Sequence, residues 1–126
     1  MKKVTGLGGI FFKSKDPQKT REWYKAHLGI ESESWGAQFK WRDIDNPNSE
    51  GQSVWCPFKE DTTYFEPSEK PFMINYIVDN LVELIKALKN EGIALIGEMA
   101  HDEYGKFAWI MDPDGNKLEL WEPPKN

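Results

Sequence analysis

The sequence predicts an α+β protein made of two tandem modules, each running strand, helix, strand, strand, strand. Three matched spacings predict it. Asp16 stands 13 residues before Gly29, and Asp79 stands 13 before Gly92. Each aspartate follows an apolar run, and each glycine precedes another. Gly51 lies four residues before Trp55, as Gly115 lies four before Glu119. Offsets repeated in one order mark an internal repeat. Module one covers about 1–58, a linker 59–70, and module two about 71–126. Neither half buries a good core alone, so the pair reads as a single domain.

Ile10 to Ser14 opens module one as a strand. Asp16-Pro17 then starts a helix, since Asp accepts from free N–H groups at the N-cap and Pro fits the first helical position. Thr20, Trp23, Tyr24, His27 and Leu28 make one stripe at helical spacing. Gly29 ends that helix. Gln38 to Ile44 and Ser53 to Cys56 read as strands around an Asn46–Gly51 turn, with Pro57 at a strand end or sheet edge. The polar stretch Lys59–Lys70 reads as a long connection. Phe72 to Val78 restarts the pattern. Asp79-Asn80 caps a helix striped by Leu81, Leu84, Ile85 and Leu88, and Gly92 ends it. Ile93–Ile96 reads as a short strand and Glu98–Gly105 as a polar loop. Phe107–Met111 and Lys117–Glu122 form a hairpin around Asp112-Pro113-Asp114-Gly115-Asn116.

Acidic residues number 21 against 16 Lys plus Arg, a net charge of −5, which argues against nucleic acid and leaves room for cationic ligands. The lone Cys56 excludes an intrachain disulfide and any zinc site built from several cysteines. No apolar run reaches the ~18 residues of a membrane span. The start, MKKVTGLGG, lacks the apolar core of a signal peptide, so a soluble cytoplasmic protein is expected. Six Trp, seven Phe and four Tyr make much of the core or pocket aromatic.

The sequence resembles the vicinal oxygen chelate superfamily, which includes glyoxalase I, extradiol dioxygenases, and fosfomycin and bleomycin resistance proteins. The resemblance covers nearly the whole chain. It is carried by Asp112-Pro113-Asp114-Gly115-Asn116-Lys117-Leu118-Glu119-Leu120-Trp121, by the second-half run NYIVDNLVELIKALKNEGI and by the first-half run FFKSKDPQKTREWYKAHLGI. It implies paired βαβββ modules whose strands form a cupped mixed sheet, helices outside, around one pocket. It also implies a homodimer.

Enzymes of this superfamily usually hold one divalent ion with His and Glu side chains from the first and last strand of each module. Carried onto this chain, those positions fall at Gly9 (within one residue), Trp55, Met73 and Glu119. Gly and Trp offer no ligand, and the Met thioether is soft and suits Cu(I). Glu119 alone survives, so no metal and no other cofactor is expected at the usual site. His27, His101 and Cys56 are the remaining donors. His27 sits at a helix end, where its charge complements the dipole. His101 lies in the polar loop and is the better candidate for ligand contact. Cys56 reads as a small buried hydrophobe.

Alternation along strands then gives an expected lining. Met73, Asn75 and Ile77 face the cup from one strand, and Lys117, Glu119 and Trp121 from another. Gly9, Phe11 and Lys13 face it from the first strand, and Trp55 faces it with Ser53. Trp109 is open in its facing. An aromatic pocket with one carboxylate suits an aromatic or cationic ligand; the other reading is a closed core in which Lys13 or Lys117 pairs with Glu119.

Three functions follow. The first is a metal-independent small-molecule binding protein of the bleomycin-resistance type, with ligand-binding residues Phe11, Trp55, Met73, Asn75, Ile77, His101, Glu119 and Trp121. The second is a lyase, isomerase or dioxygenase of the same superfamily, with Glu119 as the candidate catalytic base. The third is a partner-binding module, for which no sequence feature speaks. Fold alone does not choose among them.

Overall fold

In the computed structural model, which describes residues 3–125, the apolar runs become seven strands of one mixed, cupped sheet and the two capped stretches become helices. The first two residues of the MKKVTGLGG start, and Asn126, lie outside the described residues. Module one supplies β1 (Val4–Ser14), α1 (Pro17–Leu28), β2 (Ala37–Arg42) and β3 (Glu50–Lys59). Module two supplies β4 (Phe72–Val78), α2 (Leu81–Asn90), β5 (Ala100–Asp102), β6 (Gly105–Met111) and β7 (Lys117–Glu122). The sheet order is β2-β3-β1-β4-β7-β6-β5. The antiparallel pair of β1 and β4 joins the modules, and in each module the first strand runs parallel to the last, β1 with β3 and β4 with β7.

Both helices start as their sequences dictate. Asp16 Oδ1 accepts from Lys19 N at 3.2 Å, and Asn80 Oδ1 accepts from Glu83 N at 3.1 Å. Gly29 closes α1 in the left-handed region at φ 70°, where a β-carbon would be strained. The DPDGN run forms the turn it predicts: Asp112 Oδ1 accepts from the backbone N–H of both Asp114 and Asn116, and Oδ2 accepts from Asn116 Nδ2. The Asn116 side chain, first among these donors, holds the Asp112 carboxyl below its ordinary range.

The two helices cover the sheet unequally. Leu81, Leu84 and Ile85 of α2 are buried against Val78, Ala108 and Leu120 on the outer face. No residue of α1 is buried. Of its expected stripe, only Thr20 and Tyr24 are half-buried, while Trp23 and Leu28 are 54% and 61% exposed.

Two strand expectations are corrected. The strand that the repeat implies directly after Gly29 does not form; a single bridge joins Glu33 and Gly36, so β2 is the free edge of module one. Glu31-Ser32-Glu33-Ser34 offers no alternation to bury. Ile93–Ile96 is not a strand either. Ile93 N bonds Leu88 O to close α2, and Leu95 packs on the outer core, so this run seals a helix end. The short edge strand is β5, within the stretch expected as a loop.

These burial differences predict unequal costs. Leu84→Ala, at 4% exposure, is expected to cost ~2–5 kcal/mol in urea unfolding. Leu28→Ala is expected to stay within ~0.5 kcal/mol.

Candidate functional site

The inner face carries two regions that differ in openness. The first is built on Glu119, which is 2% exposed. A carboxylate removed from water this far is tolerated only if its oxygens are hydrogen-bonded. Three neutral donors do this. Asn75 Nδ2 donates to Oε1 at 2.6 Å, Trp109 Nε1 donates to Oε2 at 2.9 Å, and the Tyr64 hydroxyl donates to Oε2 by a short bond. Strand register explains two of the donors: Asn75 lies opposite Glu119 across β4 and β7, and Trp109 lies opposite it across β6 and β7. Burial first, and the Glu119 charge second, push the Tyr64 phenol far above its ordinary range, so it remains a donor.

Tyr64 comes from residues 60–71, the segment that links the modules. This strap folds back over the inner face. Its Phe65 is fully buried with Phe11, Cys56 and Met73. Ser68 Oγ donates to Gly115 O at 2.7 Å, and Lys70 Nζ donates to Asn116 Oδ1 at 3.1 Å, so the DPDGN turn moors the strap. Lys117 Nζ donates to Tyr64 O at 2.7 Å and lies 5.4 Å from the Tyr64 ring centroid and 5.8 Å from that of Trp109. Burial lowers the Lys117 ammonium below its ordinary range, against the attraction of Glu119. Burial, then the Glu119 charge, push the Cys56 thiol up to about 12.

The second region is open. A cleft of about 680 Å³ lies between the β2–β3 hairpin, through Gln38, Lys40 and Gln52, and the ends of β4 and β7, through Ile77 and Trp121. Trp121 stacks on Phe107 at 6.2 Å, and its Nε1 donates to Tyr104 O at 2.8 Å.

No protein-family model and no curated protein matches the chain. Solved structures do. Streptomyces coelicolor methylmalonyl-CoA epimerase, in complex with 2-nitronate-propionyl-CoA, is 18% identical over 97% of this chain and 99% of that one, with a TM-score of 0.69. The Mn(II)-bound glyoxalase from Novosphingobium aromaticivorans is 16% identical over 97% of this chain and 40% of that one, with a TM-score of 0.62. The chain has the vicinal oxygen chelate fold. A chain described as NAD-dependent benzaldehyde dehydrogenase from Legionella pneumophila is 20% identical over 92% of this chain and 98% of that one, with a TM-score of 0.60. Identity this low carries the fold and not the chemistry.

Within the vicinal oxygen chelate fold, the expected site residues separate. Phe11 and Met73 lie in the closed cluster under the strap, while Asn75 and Glu119 form the polar group beside it. Ile77 and Trp121 line the open cleft. His101 is exposed on the edge strand β5, away from the lining of that cleft.

Trp55 is corrected: it faces outward, against Tyr24 of α1 at 4.8 Å and Phe12 at 5.4 Å. Its neighbours Val54, Cys56 and Phe58 face inward instead. The four-residue match misled here because Gly51 is a residue of β3 pressed beneath Trp41, whereas Gly115 closes a turn at φ 82°. Ser53 is likewise turned to accept from Trp41 Nε1 and donate to Leu7 O.

The first-strand position is shared by two glycines, because a bulge separates Leu7 and Gly9. A β-carbon at Gly8 would stand 1.9 Å from Asn75 Oδ1. Lys117, not Lys13, approaches Glu119, but its ammonium goes to the Tyr64 carbonyl. Trp109, open in the sequence, faces inward. Tyr64 and Phe65 were missed as a linker; an aromatic pair inside an otherwise polar run was their signal.

The donor set does not fit a hard divalent ion. Among the described residues, no group of three or more His, Cys, Asp or Glu side chains converges. Beside Glu119 stand a thiol kept protonated, a thioether and neutral N–H and O–H donors, none of which suits such an ion.

Tyr64→Phe is expected to cost ~1.5–3 kcal/mol in urea unfolding, as a charged acceptor loses one donor. For Cys56, the folded thiol sits at about 12 against an ordinary 9.0. The unfolded chain therefore loses this proton first. Stability from Cys56 is full below pH 9 and falls as pH rises from 9 towards 12. Cys56→Ala is expected to flatten the fall in melting temperature over that window.

Proposed function

We propose that this chain is a metal-independent small-molecule binding protein of the glyoxalase and bleomycin-resistance type, taking an aromatic or cationic ligand in the open half of its cup. The observation that carries the reading is the state of Glu119. Its oxygens are taken by Tyr64, Trp109 and Asn75, and the strap fills the space in front of it. The open cleft has the size of a small-molecule site, with Ile77 and Trp121 set among predominantly polar walls. Four carboxylates border it, those of Asp43, Glu50, Asp79 and Glu122, against Lys40 and Lys125, which favours a cation.

The outer face of module one supports a homodimer. Leu7, Ile10, Phe39 and Trp41 are 55%, 47%, 49% and 37% exposed there, and α1 leaves them uncovered. One buried free thiol, Cys56, suits a reducing cytoplasm. No helix among the described residues is long and apolar enough to cross a membrane.

The catalytic alternative, a lyase, isomerase or dioxygenase, has the similarity to an epimerase and a glyoxalase in its favour. Glu119 would be its base, and Tyr64 would have to leave the carboxylate first.

Melting curves with Zn, Ni, Co, Mn and Fe(II) offered in turn test the reading. Unchanged melting temperatures are expected with every ion and with EDTA. A stoichiometric ion and a rise of several degrees would put the catalytic alternative ahead. Sedimentation is expected to give twice the mass of the chain, and a monomer at every concentration would remove the dimer.

A further inference from the structure

The one buried side-chain polar atom without a partner among the described residues is Asn75 Oδ1. Asn75 is 2% exposed, and a carbonyl oxygen left unpaired at that depth costs stability. The amide cannot turn to escape this. Its Nδ2 donates to Glu119 Oε1 at 2.6 Å, and a flip would set two oxygens against each other. The carboxylate therefore fixes the amide and aims Oδ1 away from itself.

Where Oδ1 points is set by Gly8. A β-carbon there would stand 1.9 Å from Asn75 Oδ1 and 3.0 Å from Trp121 Cε3, so the orphan oxygen and the edge of the indole meet at that one point. Trp121 lines the open cleft, and so does Ile77, two residues along β4 from Asn75 on the same face. The oxygen is therefore packed against Gly8 beside the indole edge, and Trp121 is the residue that stands between it and the cleft lining. Trp121 is held by its Nε1 bond to Tyr104 O, at the tip of the β5–β6 hairpin, where Tyr104 is 66% exposed.

We propose that Asn75 Oδ1 is the reading atom of this cleft: it accepts an N–H or O–H from an aromatic ligand that displaces the Trp121 ring. The ligand class is an aromatic molecule with a hydrogen-bond donor on its leading edge. This rests on the open cleft being the binding site. The rest of the polar group plays a positioning part, with Glu119 orienting the amide and Tyr64 and Trp109 orienting Glu119.

The test uses two probes that differ only in the donor, indole and 1-methylindole. Each is titrated into the wild-type protein while the indole N–H signal of Trp121 and the side-chain amide signals of Asn75 are followed by NMR. Indole is expected to shift both sets and to bind about tenfold tighter than 1-methylindole, the ratio one net hydrogen bond gives. In Asn75→Leu the two probes are expected to bind alike. Equal affinities in the wild type, with Trp121 shifted by both, would overturn the role of Asn75 and leave the cleft as the site. No shift of Trp121 with either probe would overturn the cleft itself. The wild-type comparison decides the matter even if Asn75→Leu does not fold.

Discussion

One buried carboxylate organises the inner half of this cup. Glu119 cannot stay charged and dry without donors, and the fold supplies them from three directions: β4 through Asn75, β6 through Trp109 and the inter-module strap through Tyr64. Each donor is then fixed by what it serves. Asn75 loses its freedom to flip, which leaves Gly8 the only residue type that fits against its oxygen. Tyr64 draws the strap inward, and Phe65 follows into the core. The oxygens of Glu119 are therefore saturated by the protein's own groups, with Asn75 Oδ1 left over, and the open cleft lies at the other end, beside Ile77 and Trp121.

The modules share a topology but divide the work. In module two, α2 buries three leucine and isoleucine side chains against the sheet, and an edge strand completes the set. In module one, α1 rests on Trp55 through Tyr24 and buries none of its residues, and the edge strand is missing. The buried helix packing thus sits in module two, while module one contributes Phe11 and Cys56 to the inner core, the wall of the cleft and an apolar outer surface.

Much of this was legible in the sequence. The caps at Asp16 and Asn80, the stops at Gly29 and Gly92, and the turn at Asp112–Asn116 are local chemistry, and local chemistry reads directly. The inward facing of Asn75, Glu119 and Trp121 was legible because alternation along a paired strand leaves one choice once a neighbour is fixed. Trp55 was misplaced because facing depends on parity, and Gly51 and Gly115 occupy different kinds of backbone. Tyr64 was invisible for another reason. A linker has no period, so the contact of an aromatic residue 55 positions away from its carboxylate is set by tertiary packing alone. The same holds for α1, whose stripe has helical spacing but meets little sheet beneath it.

The mooring of the strap also bears on how the two halves can be exchanged. Proteins made of two similar modules joined by a linker are candidates for domain swapping, in which the halves of two copies trade places when the linker extends. Here extension would pull Phe65 out of the core and break the bonds of Ser68 and Lys70 to the DPDGN turn. It would also strip one donor from a buried charge. The connection between the modules is therefore more than a tether: within the chain it ties the two halves of one cup to each other.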